Sequence, residues 1–482
     1  MGVSRDAVES MRDKGLKGAG RDRGPGDLLR SIAREAIDTC DAGRAVARAV
    51  ASRTGRLVLC DRPIRATGRG RIVVLACGKA AAPMFAAFVE RLRAGGVQRP
   101  VRALVVTPKT APAARAASGA GASRPKGSAR VDVTVLVGEH PVPGRGSYRA
   151  GRAARRLLSS AAPGDDVVAL LSGGGSSLMA APLDPFLNAA EKSSLHQVLV
   201  VSGAPIAAIN SVRKHLSAIK GGRLAIAGRR ASTLTTLILC DVDPERHYDV
   251  ASGPTLPDRT TLDDLIETAS RYGLAPLLPA RVLEALRSGR LPETPKPRAA
   301  VFRKSRVQML LSNADLRHAA VRAGLMRNLA AEAMPTEIIG TVEEAVELVG
   351  RAIEGAPTGL RLLVLGGEVR TAPAGRGMGG RAQEFALRLA LRMRGLSVRG
   401  WAFLACGSDG RDGNSPAAGA CVDATTLERA SALAIDPEKA LARADAWRLF
   451  HKLGDDLTTG PTGTNVRDLY LLLTGLPHPA ER

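Results

Sequence analysis

Apolar residues along the chain gather in short unbroken runs, each followed by an abrupt change to small and polar residues and usually by a stretch with helical spacing. The runs are IVVLACGKAA (72–81), DVVALLSGGGSS (166–177), TLILCDVD (236–243), QMLLSNAD (308–315), LLVLGGE (362–368) and AFLACGSDG (402–410). A continuous rather than alternating run predicts a strand buried on both faces, as in a parallel sheet covered by helices. The pattern therefore predicts an α/β protein with its polar chemistry at strand ends, where such folds collect ligands. Ahead of the first run, LLRSIAREAIDTCDAGRAVARAV has helical spacing and predicts a helix.

A chain of 482 residues is long enough for two to three domains. We expect a tail over 1–26, a first domain over 27–275 and a second over 300–474. The proline-rich, basic LPETPKPRAAVFRK (291–304) is the candidate crossing between them. Residues 110–130, TAPAARAASGAGASRPKGSAR, have no periodicity and predict a mobile insertion between the strands RALVVT and DVTVLVG.

Composition narrows the class. No apolar run approaches the length of a membrane span, and residues 1–26 have no apolar core of a secretory signal, so we read a disordered tail on a cytoplasmic, non-membrane protein. Asp6 stands where a myristoylation signal needs Ser or Thr. The six cysteines form no CxxC pair and imply neither disulfides nor zinc. The formal charge of +23 favours anionic ligands, but it is spread along the chain, and 3% aromatic content offers few stacking platforms for bases. A solvated arginine-rich surface outweighs a nucleic-acid role.

The strand-end loops carry the candidate chemistry. Lys79 follows IVVLAC at a helix start, where it would suit phosphate or carboxylate; an ordinary exposed lysine is an equal alternative. The loop Ser172, Gly173, Gly174, Gly175, Ser176, Ser177 lacks the lysine of a Walker motif, yet three glycines in a row exceed the needs of a turn and favour an anion cradle. NSVRKHLSAIKGGRLA (210–225) holds Arg213, Lys214, His215 and Lys220; taken alone, a solvent-facing charge run is the better reading. Asp241 and Asp243, Glu368, and Asp409 and Asp412 with Asn414 put carboxylates at three further strand ends, as a Mg²⁺-nucleotide site and a general base would. Aspartates in turns also cap backbones. GRGMGGRAQEFALRLALRM (375–393) fits GxGxxG at Gly375, Gly377 and Gly380, a weak dinucleotide match, since no acidic residue follows about 20 positions on. Arg381 there can chelate a carboxylate or phosphoryl group. His140 of HPVP reads as structural.

Twelve stretches in order from about residue 28 to 474 resemble the class II glycerate 2-kinases, whose C-terminal part is the MOFRL domain. They are ACGKAA, GEHPVP, LLSGGGSSL, NSVRKHLSAIKGGRLA, LILCDV, DVASGPTLPD, LSNAD, LGGE, GGRAQEFAL, GSDGRDG, AAGA and TGPTGTNVRDL. The resemblance implies two α/β domains, the N-terminal one Rossmann-like and mostly parallel with helices on both faces, with the active site in the cleft between them. It implies transfer of the γ-phosphoryl group of ATP, with Mg²⁺, to the C2 hydroxyl of D-glycerate. Carried over, Lys79, Asp241 and Arg381 are the catalytic group and Glu368 and Asp409 the metal ligands. Ser172 to Ser177, Lys214 and Asn313 are the nucleotide contacts. Ala382 replaces an Asn common in the family, and Pro416 stands where an acidic residue is frequent. Members are also called hydroxypyruvate reductases, which leaves a nicotinamide-dependent reductase as the alternative. A basic nucleic-acid-binding protein is a more distant one, and a homo-oligomer stays open.

Overall fold

The computed structural model describes residues 24–53, 56–108, 129–202, 204–371, 375–396 and 400–476. Most of the expected tail and residues 110–128 of the expected insertion lie outside these. Helix α1 (Pro25–Thr39) opens the described chain and ends at Cys40, so the segment expected as one helix is two, the second being Ala42–Ala49. The break is also a boundary between two compact units. One comprises Ala42–Ser312, and the other joins the chain up to Asp41 with Asn313 onward.

In the first unit, strands β1 (Ile72–Cys77), β2 (Val101–Thr107), β3 (Val131–Val137), β4 (Asp166–Leu171), β5 (Thr233–Leu239) and β6 (Ser305–Leu311) form one sheet in the order 3-2-1-4-5-6. Every neighbouring pair is parallel. This is the doubly wound order, whose switch point falls between β1 and β4. Val73, Leu75 and Cys77 face a core shared with Ala150, Ala154 and Leu158 of helix α2 (Arg145–Ser159). Ile72, Val74 and Ala76 are buried too, on the face against which helix Ala81–Ala94 packs. Both faces are covered, which is why β1 is apolar at every position.

The expected crossing at 291–304 belongs to this first unit. Thr294 Oγ1 donates to Asp258 Oδ2 at 2.9 Å, and the Asp258 amide donates to the Pro295 carbonyl at 3.0 Å. The chain then adds β6 to the sheet before it leaves at Ser312. Proline here fixes an extended segment against the body, whose backbone groups it still satisfies.

The second unit has a mixed sheet built from β7 (Ala330–Ala333), β8 (Ile338–Thr341), β9 (Arg361–Arg370), β10 (Ala402–Gly407), β11 (Gly419–Asp423), β12 (Asp456–Leu457) and β13 (Asp468–Thr474). Its order is β7-β9-β13-β10-β11-β12, with β8 also pairing β9. Only β7 and β8 run parallel to β9; the other pairings are antiparallel. The parallel arrangement expected of AFLACGSDG is thus corrected, and LLVLGGE is parallel on its β7 and β8 side alone. Those runs report burial on both faces, supplied by helices α3 (Val342–Glu354) and α4 (Arg381–Arg392) in one core and by α1 with helix Asn313–Leu325 elsewhere on the sheet. That covering role places α1 in this unit rather than in the first domain expected from residue 27. Among the described residues no helix is long and apolar enough to cross a membrane.

Candidate active site

In the first unit the loops leaving β1 and β4 meet at the switch point. Ser172 Oγ accepts from the Ala80 amide at 3.1 Å, and the Gly173 carbonyl accepts from the Lys79 amide at 2.9 Å. Gly78 lets them approach: its φ is +131°, and a Cβ there would lie 2.2 Å from Ser172 Oγ. Lys79 and the glycine loop are therefore joined through their backbones. Gly174 adopts φ +80°, and a Cβ on it would lie 3.4 Å from Lys79 Cγ and 3.3 Å from His140 Cδ2. Gly175 is required by close packing, since its Cβ would meet Ala251 Cβ at 2.7 Å. Handedness and packing thus account for two of the three glycines. Among the described residues no carbonyl accepts from the amides of Gly173 and Gly174, which leaves those donors available to an anion.

Around this loop, Ser176 Oγ lies 2.8 Å from Ser252 Oγ, and Lys220 Nζ donates to the Ser176 carbonyl at 2.7 Å and to its Oγ at 3.0 Å. Asp241 follows the end of β5, the strand beside β4, and is partly exposed. Lys214 departs from expectation. Its ammonium is fully buried, 2.5 Å from Asp249 and 3.1 Å from Asp258, beneath the ring of Tyr248. It is a structural cation neutralised by carboxylates rather than one offered to a phosphate.

The second unit assembles Glu368, Arg381, Asp409 and a carboxylate that was not singled out, Asp468. Arg381 opens α4; its Nε and Nη2 donate to the two oxygens of Asp468 at 2.6 and 3.0 Å, and its Nη1 donates to Glu368. Burial alone would lower the Arg381 guanidinium; Asp468 and Glu368 outweigh it and hold it far above its ordinary value. Burial likewise raises the Asp468 carboxyl against the pull of Arg381, with Glu368 and Asp409 raising it further, so the three acids share one field. The signal for Asp468 was an acidic residue directly before the apolar run LYLLL. Asp412, fully enclosed, caps α4 by accepting the amides of Gln383 at 2.9 Å and Ala382 at 3.1 Å, while burial pushes its carboxyl up to about 7.

Asn313 also departs from its expected role. It is buried and donates to the carbonyls of Val466 and Asp468 at 3.0 and 2.9 Å, which fixes the start of β13 rather than a nucleotide. The GxGxxG stretch uses its own donors: Gly377 N–H donates to the Arg443 carbonyl, Met378 N–H to Asp445 and Gly379 N–H to Asn414. It is not a dinucleotide cradle. Among the described residues, no group of three or more His, Cys, Asp or Glu is arranged to hold a metal ion, so Glu368 and Asp409 form no ready-made cage.

The chain is thus an α/β protein of two units, one doubly wound with a glycine loop at its switch point, the other presenting an arginine among carboxylates. Comparison with known proteins gives this class its family. Residues 28–287 match the model described as domain of unknown function DUF4147, and residues 361–468 match the MOFRL family. A D-glycerate 2-kinase of Thermotoga maritima is 31% identical over 348 residues, 70% of this chain and 80% of its own. An Agrobacterium vitis protein with a provisional hydroxypyruvate reductase name is 35% identical over 84% of this chain and 88% of its own. The crystal structure of a glycerate kinase from Thermotoga maritima superposes with a TM-score of 0.72 at 30% identity, covering 93% of this chain and 99% of that one. The chain belongs to the class II glycerate kinase family.

Proposed function

We propose that the protein is an ATP-dependent glycerate 2-kinase, which transfers the γ-phosphoryl group of ATP to the C2 hydroxyl of D-glycerate and releases ADP and 2-phosphoglycerate. The observation that carries this reading is the lacing of Lys79 to the glycine loop at the switch point, where a phosphate finds free amides and a cation together. In-line transfer asks for positioning and charge neutralisation more than for covalent chemistry.

Each residue then has a task. The amides of Gly173 and Gly174 hold phosphate oxygens, and Lys79 neutralises the charge that develops on transfer. Asp241 accepts the proton of the glycerate hydroxyl as its oxygen bonds to phosphorus and the bond to the ADP oxygen breaks. Arg381 offers its Nη1 edge, held by Glu368 in the absence of ligand, to the carboxylate or transferring group, while Asp468 keeps the guanidinium charged and aimed. Glu368 is about 40% exposed and Asp409 lies in the same field, which supplies the one or two carboxylates that Mg²⁺ takes when its other ligands are phosphate oxygens and water. The ion would add charge neutralisation on the phosphates.

ADP release measured by a coupled assay tests this: it should depend on D-glycerate, ATP and Mg²⁺ together. Oxidation of NADH on addition of hydroxypyruvate, without ADP release, would instead support the reductase name that some relatives carry.

A further inference from the structure

Among the described residues, Lys192, Arg213 and Lys220 of the first unit form no ion pair with a carboxylate, and two of them reach the glycine loop, Lys220 through Ser176 and Arg213 through His196 and Ser177. Lys192 and Lys220 are only 6% and 3% exposed, and Arg213 is half-buried. Lys220 touches Ser176, as above. Arg213 Nη2 lies 3.4 Å from His196 Nε2, which itself lies 3.5 Å from Ser177 Oγ. Lys192 donates to the Leu216 carbonyl at 2.8 Å. Arg213 Nε is buried without a partner among the described residues.

The contrast with Lys214, one residue from Arg213, is direct: the fold neutralises that buried cation with two aspartates and leaves these three without one. Burial, and then the charges of Arg213 and Arg223, lower Lys192 to about 7. Lys220 is lowered by burial and by Lys192 and Arg213, against a small opposing effect of Cys77. Burial and the same three cations hold His196 neutral, its ring lowered to about 3. Charging these buried amines is costly unless a ligand brings the opposite sign.

The backbone adds a second, independent sign. Ala251 and Ser252 have φ of +53° and +58° without being glycine. Such strain persists only where surrounding structure enforces it, and it gathers at functional sites. Here it delivers the Ser252 hydroxyl to Ser176 Oγ, within 3.3 Å of Asn210 Oδ1.

We propose that Arg213 and Lys220, backed by Lys192 and joined by the hydroxyls of Ser176, Ser177 and Ser252, form a pocket for a phosphate dianion. Arg213 meets one negative charge, and a second draws a proton onto a neighbouring lysine, which a lone carboxylate would not do. The choice of phosphate among multiply charged oxyanions rests on the glycerate kinase reading. Two sources share this chemistry: the terminal phosphate of a nucleotide and the phosphate of the phosphoglycerate product.

Isothermal titration at pH 8, in buffers of different ionisation enthalpy, with ADP and 2-phosphoglycerate as separate probes, tests the pocket. Wild-type protein should take up about one proton on binding one of them, because the incoming anion restores charge to a lysine held neutral. Arg213→Gln and Lys220→Met should each weaken that ligand by about tenfold or more. Arg213→Lys should recover part of the loss and restore the proton uptake, which a merely structural role would not do. Loss confined to ADP assigns the nucleotide phosphate to the pocket; loss confined to 2-phosphoglycerate assigns the product phosphate. Unchanged affinity for both probes in both variants overturns the pocket. If the variants do not fold, the absence of proton uptake by wild type overturns it. A protein that shows the uptake and the losses yet makes no phosphoglycerate retains the pocket and loses the kinase reading; active enzyme with unaltered variant binding does the reverse.

Discussion

Lys214 and Lys220 lie in one basic stretch, yet their surroundings assign them opposite roles. Removing Lys214 leaves Asp258 buried without a cation and Asp249 with Arg246 alone, so Lys214→Met should cost about 3 kcal/mol of stability. Lys220→Met removes a buried cation that has no carboxylate partner and should leave thermal stability equal or higher. Denaturant unfolding of the two variants checks this; equal destabilisation would contradict it. The distinction was not legible in the sequence, because the aspartates that decide it lie 35 and 44 residues downstream and reach Lys214 only through the fold. Arg381 was legible as a helix-opening arginine, but its partner Asp468 is 87 residues away. Lys79→Ala and Arg381→Ala should each lower kcat/KM by about two to three orders of magnitude, as expected for loss of a contact to developing charge. Values within about threefold of wild type would remove these residues from the chemistry.

The loops and helix caps that hold those side chains make their own demands. Gly78 bears the close approach of the β1 and β4 loops, so Gly78→Ala forces a Cβ into Ser172 from an unfavourable backbone angle. A loss of about 2 kcal/mol or more is expected, with a fall in activity from displacement of Lys79. Asp412, the cap of α4, gives a pH signature. Its carboxyl rises from 3.8 to about 7 on folding, so the folded state holds the proton more tightly than the unfolded one across that window. The contribution is full below about pH 4 and is lost as pH rises toward 7. The stability of wild type relative to Asp412→Asn should therefore fall between about pH 4 and 7 and level off above that, by at most about 1.4 kcal/mol per pH unit. A flat difference in unfolding free energy would contradict this. Most apolar runs foretold strands because burial on both faces leaves no polar position; β6 corrects the rule, since it lies at the sheet edge with Val307 and Met309 exposed. The runs did not foretell direction: β10 is as continuously apolar as β1, yet both of its neighbours are antiparallel. Direction is set by connections, which local pattern does not record.

For the whole molecule, the sequence pointed to an α/β chain in two parts and to loops at strand ends, but placed the crossing too early. Proline in 291–304 suggested a linker, whereas the unit continues through β6 to Ser312. Nor did periodicity show that α1 returns to the unit formed by the C-terminal residues, since a helix face does not name the sheet it covers. The reading stands on phosphoryl transfer to the C2 hydroxyl of glycerate and on a need for both Lys79 and Arg381. Phosphorus NMR of purified protein with ATP, Mg²⁺ and D-glycerate tests it most directly. The account predicts a 2-phosphoglycerate resonance growing in step with ADP, and its loss in both Lys79→Ala and Arg381→Ala. Formation of 3-phosphoglycerate, ADP with inorganic phosphate alone, or full turnover in either variant would contradict it.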